Sequence, residues 1–210
     1  MRWLQRNWHR PLAHAGALLP LVGLFINYWR DDLTFNSVRF VTLRTGSVGL
    51  LLLVLSLACT PLNTLFGWRG ALHIRRPLGL YAFLYITLHL LLYVWFDAML
   101  DMRFVWRDLS ERRSMLVGLV AFLLLVPLAL TSTQRWQRRL GRGWRMLHRL
   151  VYLATPLSVL HFFWLDRDFI RQPVIYAVAV GVLLALRLPP VRRAIGRGRA
   201  LLVSAILRLV

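Results

Sequence analysis

The sequence predicts an all-α integral membrane protein, a bundle of six transmembrane helices with both termini cytoplasmic. Three observations carry the prediction. The 210 residues are 58% hydrophobic yet hold a formal net charge of +19, a combination foreign to a soluble domain of this size. Six apolar stretches, residues 11–29, 45–60, 78–96, 115–131, 147–165 and 174–188, each come near the roughly 17–25 residues a spanning helix needs, the second and sixth by drawing on flanking residues. All 27 basic residues are arginine; with the first stretch entering from the cytoplasm, 18 fall inside and nine outside, and all eight acidic residues fall outside. The excess of arginine on one side sets the orientation.

The first ten residues form a short basic arm bearing Trp3 and Trp8, suited to the membrane interface, with His9 solvated there. The first stretch is not a cleavable signal peptide, because Asn27, Tyr28, Trp29 and Arg30 follow it where small residues would mark a cleavage site. His14, about one turn in, reads as a hydrogen-bonded structural residue. Residues 30–44 mix charge signs and read as a solvated outer loop. The second stretch holds Gly46 and Gly49, which admit a close helix or a flat cofactor. It also holds Cys59, the single cysteine, which can form no intrachain disulfide and reads as a small packing residue. Residues 61–77 are expected as an inner loop whose Trp68, Arg69, His73, Arg75 and Arg76 favour anionic headgroups, a phosphate group or a cytosolic partner.

The third stretch carries His89 and no acid to pair with it; the fifth is framed by His148 and His161. Intramembrane histidines are costly unless bonded and so mark a functional site by default. Thirteen helical residues rise roughly 20 Å, so His148 and His161 stand near opposite ends of one crossing and cannot share an ion. The third and fifth stretches run the same way, and His89 and His161 each lie 13 residues beyond their inner edges, Arg76 and His148. The two imidazoles therefore share one depth, the arrangement a six-coordinate haem iron requires. The metal-free alternative is a hydrogen bond to Thr87, Ser158 or a backbone carbonyl. Zinc or copper would want three or four clustered ligands, and no Cys, Glu or Asp is at hand inside the membrane.

The fourth stretch has Pro127 near its inner end. The run 135–149 then sets six arginines among Trp136 and Trp144 with no acid. It reads as an interfacial anchor, or as a seat for a flavin phosphate, a quinone headgroup or a cytosolic reductase; pressed against a membrane, it does not read as a nucleic-acid site. Pro156 is expected to kink the fifth helix and adjust the relative facing of its two histidines. The sixth stretch carries no charge before Arg187 and reads as scaffold. Residues 1–190 thus form the membrane domain, and 191–210 a basic amphipathic tail on the inner surface. No GxGxxG or GxxxxGK[ST] occurs, so nicotinamide chemistry belongs to another polypeptide.

Six segments in order, RRPLGL (75–80), TLHL (87–90), TSTQ (131–134), RLGRGW (139–144), LHRLVYL (147–153) and HFFW (161–164), closely resemble the haem-binding membrane subunits of bacterial periplasmic methionine sulfoxide reductase systems. These form the MsrQ (formerly YedZ) family within the ferric-reductase-like transmembrane superfamily. The resemblance runs from His14 to about Pro189. It implies a multi-pass inner-membrane b-type cytochrome with one or two haems b and bound FMN. The quinone pool or a cytosolic flavin reductase would be the electron donor, and a periplasmic molybdopterin methionine sulfoxide reductase the acceptor. The chemistry on methionine sulfoxide would belong to that partner, leaving this chain as an electron-transfer subunit.

By the resemblance His89, His148 and His161 match the family's haem ligands, with His89 and His161 pairing on an outer haem. The oxidase relatives place a second histidine about a dozen residues before the first. Here that position is Arg76, which leaves an inner haem on His148 without a defined second ligand; His73 is a nearby candidate. Arg75 and Arg76 suit neutralising haem propionates or lining the inner site. Two rival readings stand beside this one: a transmembrane ferric reductase-type cytochrome, and a transporter or assembly scaffold gated by its histidines. The absence of intramembrane Asp, Glu and Lys relays favours a cytochrome over a pump.

Overall fold

The computed structural model describes residues 8–30, 37–165, 170–191, 193–195 and 197, which are mostly helical with no strand among them. The helices are α1 (His9–Trp29), α2 (Ser37–Phe66), α3 (Arg69–Leu92), α4 (Met102–Glu111), α5 (Arg113–Leu130), the short α6 (Gln134–Leu140) and α7 (Arg142–Leu147), α8 (Val151–Leu165) and α9 (Arg171–Ala185). Three segments are long and apolar enough to cross a membrane: α2, α3 with its extension to Asp97, and α5. A fourth is added if α9 and the short helix Pro189–Ile195 form one bent span. The tail expected over 191–210 lies mostly outside the described residues, as do residues 1–7 of the basic arm and Asp31, Asp32, Asp166 and Asp168.

Two antiparallel hairpins form the centre. In the first, α2 and α3 are joined by only two residues, Gly67 and Trp68, so most of the expected inner loop is helix and Arg75, Arg76 and Pro77 lie within α3. The turn works because Gly67 adopts φ +70° and its N–H closes on the Asn63 carbonyl at 2.9 Å, a left-handed helix cap that glycine takes without a steric penalty. Residues 37–44, expected as loop, are the first turns of α2. The Thr42 hydroxyl there, like that of Thr45 in the next turn, donates back to its own helix, to the Val38 and Val41 carbonyls, each at 2.9 Å. In the second hairpin, α5 pairs with α8 by way of α6, α7 and a 3₁₀ turn at His148–Leu150.

Lipid offers helices no hydrophobic incentive to associate, so close approach through small residues has to hold them together. The core accordingly contains Ala17, Ala71, Ala82, Ala154 and Cys59, each at most 2% exposed. Tyr85 is fully buried, and its hydroxyl donates to the Ala17 carbonyl at 2.7 Å, fastening α1 to α3. Arg187 fastens the end of α9: it donates to the Tyr152 hydroxyl at 2.7 Å and to the Leu57 carbonyl, bridging α8 and α2.

At the far end of α3 the chain makes a π-helical turn, Tyr93–Asp97, then passes through Met99 and Leu100 at φ +50° and +59°. Asp101 caps α4 by accepting from the Arg103 N–H at 2.8 Å. Asp108 anchors α4 to the bundle. It is 3% exposed, accepts from the Tyr93 hydroxyl at 2.9 Å and stands 3.4 Å from Arg112 Nε.

Candidate functional site

His89 lies in the last turn of α3 and His161 near the end of α8, and the two rings meet edge to face with centroids 6.3 Å apart and planes at 76°. Each Nδ1–H donates outward to a backbone carbonyl, His89 to Thr42 on α2 and His161 to Ser114 on α5, both at 2.7 Å. A carbonyl only accepts, so Nδ1 carries the proton and Nε2 of the neutral ring keeps a free lone pair. Neither Nε2 has a hydrogen-bond partner among the described residues. The side-chain partners considered from sequence are spent elsewhere: Thr87 and Ser158 each donate back to their own helix, at 2.8 and 2.9 Å.

Two metal–nitrogen bonds of about 2.0 Å plus the two ring radii sum to about 6.3 Å, so the observed separation would admit one metal ion held by His89 and His161. Nδ1 donation to a carbonyl is also the usual means by which a ligating histidine is held in tautomer and orientation. Among the described residues no third His, Cys, Asp or Glu joins a metal cluster, so a group held there would have His89 and His161 as its protein ligands.

The two hairpins repeat one another around this pair. Thr42, Gly46, Ala82 and His89 recur 72 residues later as Ser114, Gly118, Ala154 and His161. The histidine-to-carbonyl bonds both span 47 residues. A β-carbon at Gly46 would meet His89 Nδ1 at 2.9 Å, and one at Gly118 would meet His161 Nδ1 at 2.6 Å. Both glycines thus make room for a ring. Gly49 differs: its β-carbon would meet Ile86 Cγ1 at 2.7 Å, a packing role. Gly118, Thr42 and Ser114 carry no individual mark in the sequence, and the 72-residue recurrence is the signal that finds them.

The symmetry breaks at the other end, where the partner position of His148 is Arg76. His148 begins the 3₁₀ turn, stacks on Trp144 with centroids 3.9 Å apart and donates from Nδ1 to the Trp144 carbonyl at 3.1 Å. Its Nε2 is buried without a hydrogen-bond partner. Arg75, Arg76, Ser56, Gln137 and Trp144 share with it a cavity of about 280 Å³. The structure does not bring His73 there: it is exposed, bonds the Arg69 carbonyl at 3.1 Å and lies beside His9, ring centroids 5.7 Å apart. His14 bonds the Tyr81 hydroxyl at 2.9 Å, in keeping with a structural role.

Residues 45–159 match the family model described as ferric reductase like transmembrane component. The chain is 45% identical over 192 residues to a protein of Rhodospirillum rubrum, covering 91% of this chain and 92% of that one. That relative is named protein-methionine-sulfoxide reductase heme-binding subunit MsrQ. The chain belongs to the MsrQ family. MsrQ proteins of Xanthomonas axonopodis pv. citri and Herminiimonas arsenicoxydans are 44% and 42% identical over 188 and 182 residues, covering 85% of this chain each and 84% and 83% of the relatives. No solved structure matches. With its apolar helices and its transmembrane family, the chain is a multi-pass membrane protein. The stretch matched by the ferric-reductase model contains His89, His148, Arg75 and Arg76 and stops two residues short of His161.

Proposed function

We propose that this chain is the b-type cytochrome subunit of a bacterial methionine sulfoxide reductase system. In this reading it carries electrons across the inner membrane, from the quinone pool or a cytosolic flavin reductase, to a periplasmic molybdopterin reductase that repairs oxidised proteins. The observation that carries the reading is the His89–His161 pair, with Nδ1 tied back on both rings and 6.3 Å between centroids. The relatives' names, which specify a heme-binding subunit of a methionine-sulfoxide reductase, support it. A haem held there supplies one-electron transfer between ferric and ferrous iron.

What the chain itself does is hold that haem. His89 and His161 present lone pairs at one level, Thr42 and Ser114 fix their tautomers, and Gly46 and Gly118 give the rings space. At the inner level His148, with its unpartnered Nε2, is the ligand for a second haem. Arg75 and Arg76 are suited there to propionates or to the phosphate of FMN. Six spans over residues 1–190, both termini cytoplasmic and an interfacial tail at 191–210 complete the proposal.

The test is the haem-to-protein ratio and the reduced-minus-oxidised spectrum of protein purified in mild detergent, with His89→Ala, His161→Ala and His148→Ala alongside. His89→Ala and His161→Ala should each abolish the same spectral component, and combining them should remove nothing more. His148→Ala should spare that component. A wild-type protein that stays colourless after haem supplementation would return the histidines to packing or transport.

A further inference from the structure

We propose that Met99 and Met102 form a methionine oxidation site, and that their sulfoxides are substrates of the same reductase to which this chain delivers electrons. The inference rests on the function proposed above. Met99 is 81% exposed, more than any other large apolar side chain among the described residues, and Met102 is 60% exposed. Exposure decides whether a thioether is oxidised, since the sulfur must be reached by a polar oxidant. Met115, on α5, is partly buried.

The backbone makes the display deliberate. Met99 and Leu100 both hold positive φ, 50° and 59°, a region that side-chain-bearing residues avoid. The turn is kept there by hydrogen bonds from the Leu100 N–H to the Val94 carbonyl at 2.9 Å and from the Asp101 N–H to the Ala98 carbonyl at 2.8 Å. Met102 opens α4, whose exposed face continues through Arg103, Trp106, Arg107 and Ser110. That mixture belongs at a water or headgroup boundary, not in hydrocarbon. The site is also at the right end. Tyr93, one turn beyond His89, bonds Asp108 of α4, so both methionines stand on the end of the bundle where electrons would leave. Met146, 63% exposed, is in α7 at the opposite end, two residues from His148.

The chemistry closes. Hypochlorous acid transfers its oxygen to the thioether sulfur: sulfur is oxidised by two electrons, chlorine leaves as chloride, and a proton is released. The reductase returns two electrons with two protons, the sulfur–oxygen bond breaks, water leaves, and the thioether is restored.

The test uses right-side-out membrane vesicles carrying the full chain. They are treated with hypochlorous acid, quenched, and given purified reductase outside, charged by reduced viologen, with free methionine sulfoxide present as the gauge of its turnover. Peptide mass spectrometry should find Met99 and Met102 converted about fivefold or more faster than Met115. The reductase should then clear their sulfoxides while sulfoxide at Met146, behind the membrane, persists. Oxidation no faster than at Met115, or sulfoxide at 99 and 102 that survives while free methionine sulfoxide is consumed, would overturn the proposal. Viologen supplies the electrons, so this result is separate from the electron-delivery reading, which the spectra of the histidine variants decide.

Discussion

Gly46 and Gly118 sit where the paired imidazoles press closest on the neighbouring helices, and the smallest side chain is enough to disturb them. The Cβ of an alanine at 118 would stand 2.6 Å from His161 Nδ1 and one at 46 would stand 2.9 Å from His89 Nδ1. Each ring would have to leave its carbonyl acceptor to make room. Disturbing the group that orients a metal-bound histidine costs about 10–100-fold in affinity. Gly118→Ala should therefore lower haem content more than Gly46→Ala does. Gly181→Ala, with nothing within 4 Å, should leave the spectrum unchanged and gain up to about 1 kcal/mol from helix propensity. Equal spectra for all three would remove the glycines from the site. The histidine pairing itself was legible in the sequence, because residue spacing on two parallel helices fixes relative depth. The acceptors at Thr42 and Ser114 were not, because a backbone carbonyl is the same at every residue and only the fold selects which one is used.

At the scale of elements, the apolar stretches located the central helices but not where they end. Hydropathy reports where hydrocarbon stops, whereas a helix continues while its polar groups can be satisfied. The hydroxyls of Thr42 and Thr45, turned back on their own helix, carry α2 outward to Ser37. Arg75 reaches the Thr60 hydroxyl at 3.4 Å, and α3 begins at Arg69. Helix α4 had no apolar stretch to announce it; its attachment depends on one buried carboxylate. Tyr93→Phe removes the donor at 2.9 Å and leaves Asp108, 3% exposed, short of a partner. A hydrogen bond to a charged group is worth about 1.5–3 kcal/mol, and a loss of that order should appear in the thermal unfolding of the detergent-solubilised protein. Arg112 is 60% exposed on its side chain, and solvent-screened pairs contribute about 0–1 kcal/mol. Arg112→Ala should accordingly cost less than Tyr93→Phe; the reverse order would mean that the ion pair, not the phenol, holds α4.

Over the whole molecule, a hairpin repeated after 72 residues and meeting its copy at two histidines implies an orientation as well as a site. With each hairpin crossing and returning, as the proposed six-span topology has it, both copies would enter the membrane from the same side and their histidine ends would emerge together. The other end carries Arg69, Arg75 and Arg76, in the first turns of α3, in the first copy and the six arginines of 135–149 in the second. Arginine excess marks the cytoplasmic side, which would put His89, His161 and α4 toward the periplasm. The single cysteine makes this testable without a cysteine-free background, since Cys59 is 2% exposed and should stay unreactive toward a membrane-impermeant maleimide. Met102→Cys, at a 60% exposed position, should be labelled on intact cells. Gly143→Cys, with open space around its β-carbon, should be labelled only after lysis. The opposite pattern would turn the bundle over, place the histidine pair at the cytoplasmic face, and leave a periplasmic reductase no exit from which to collect electrons.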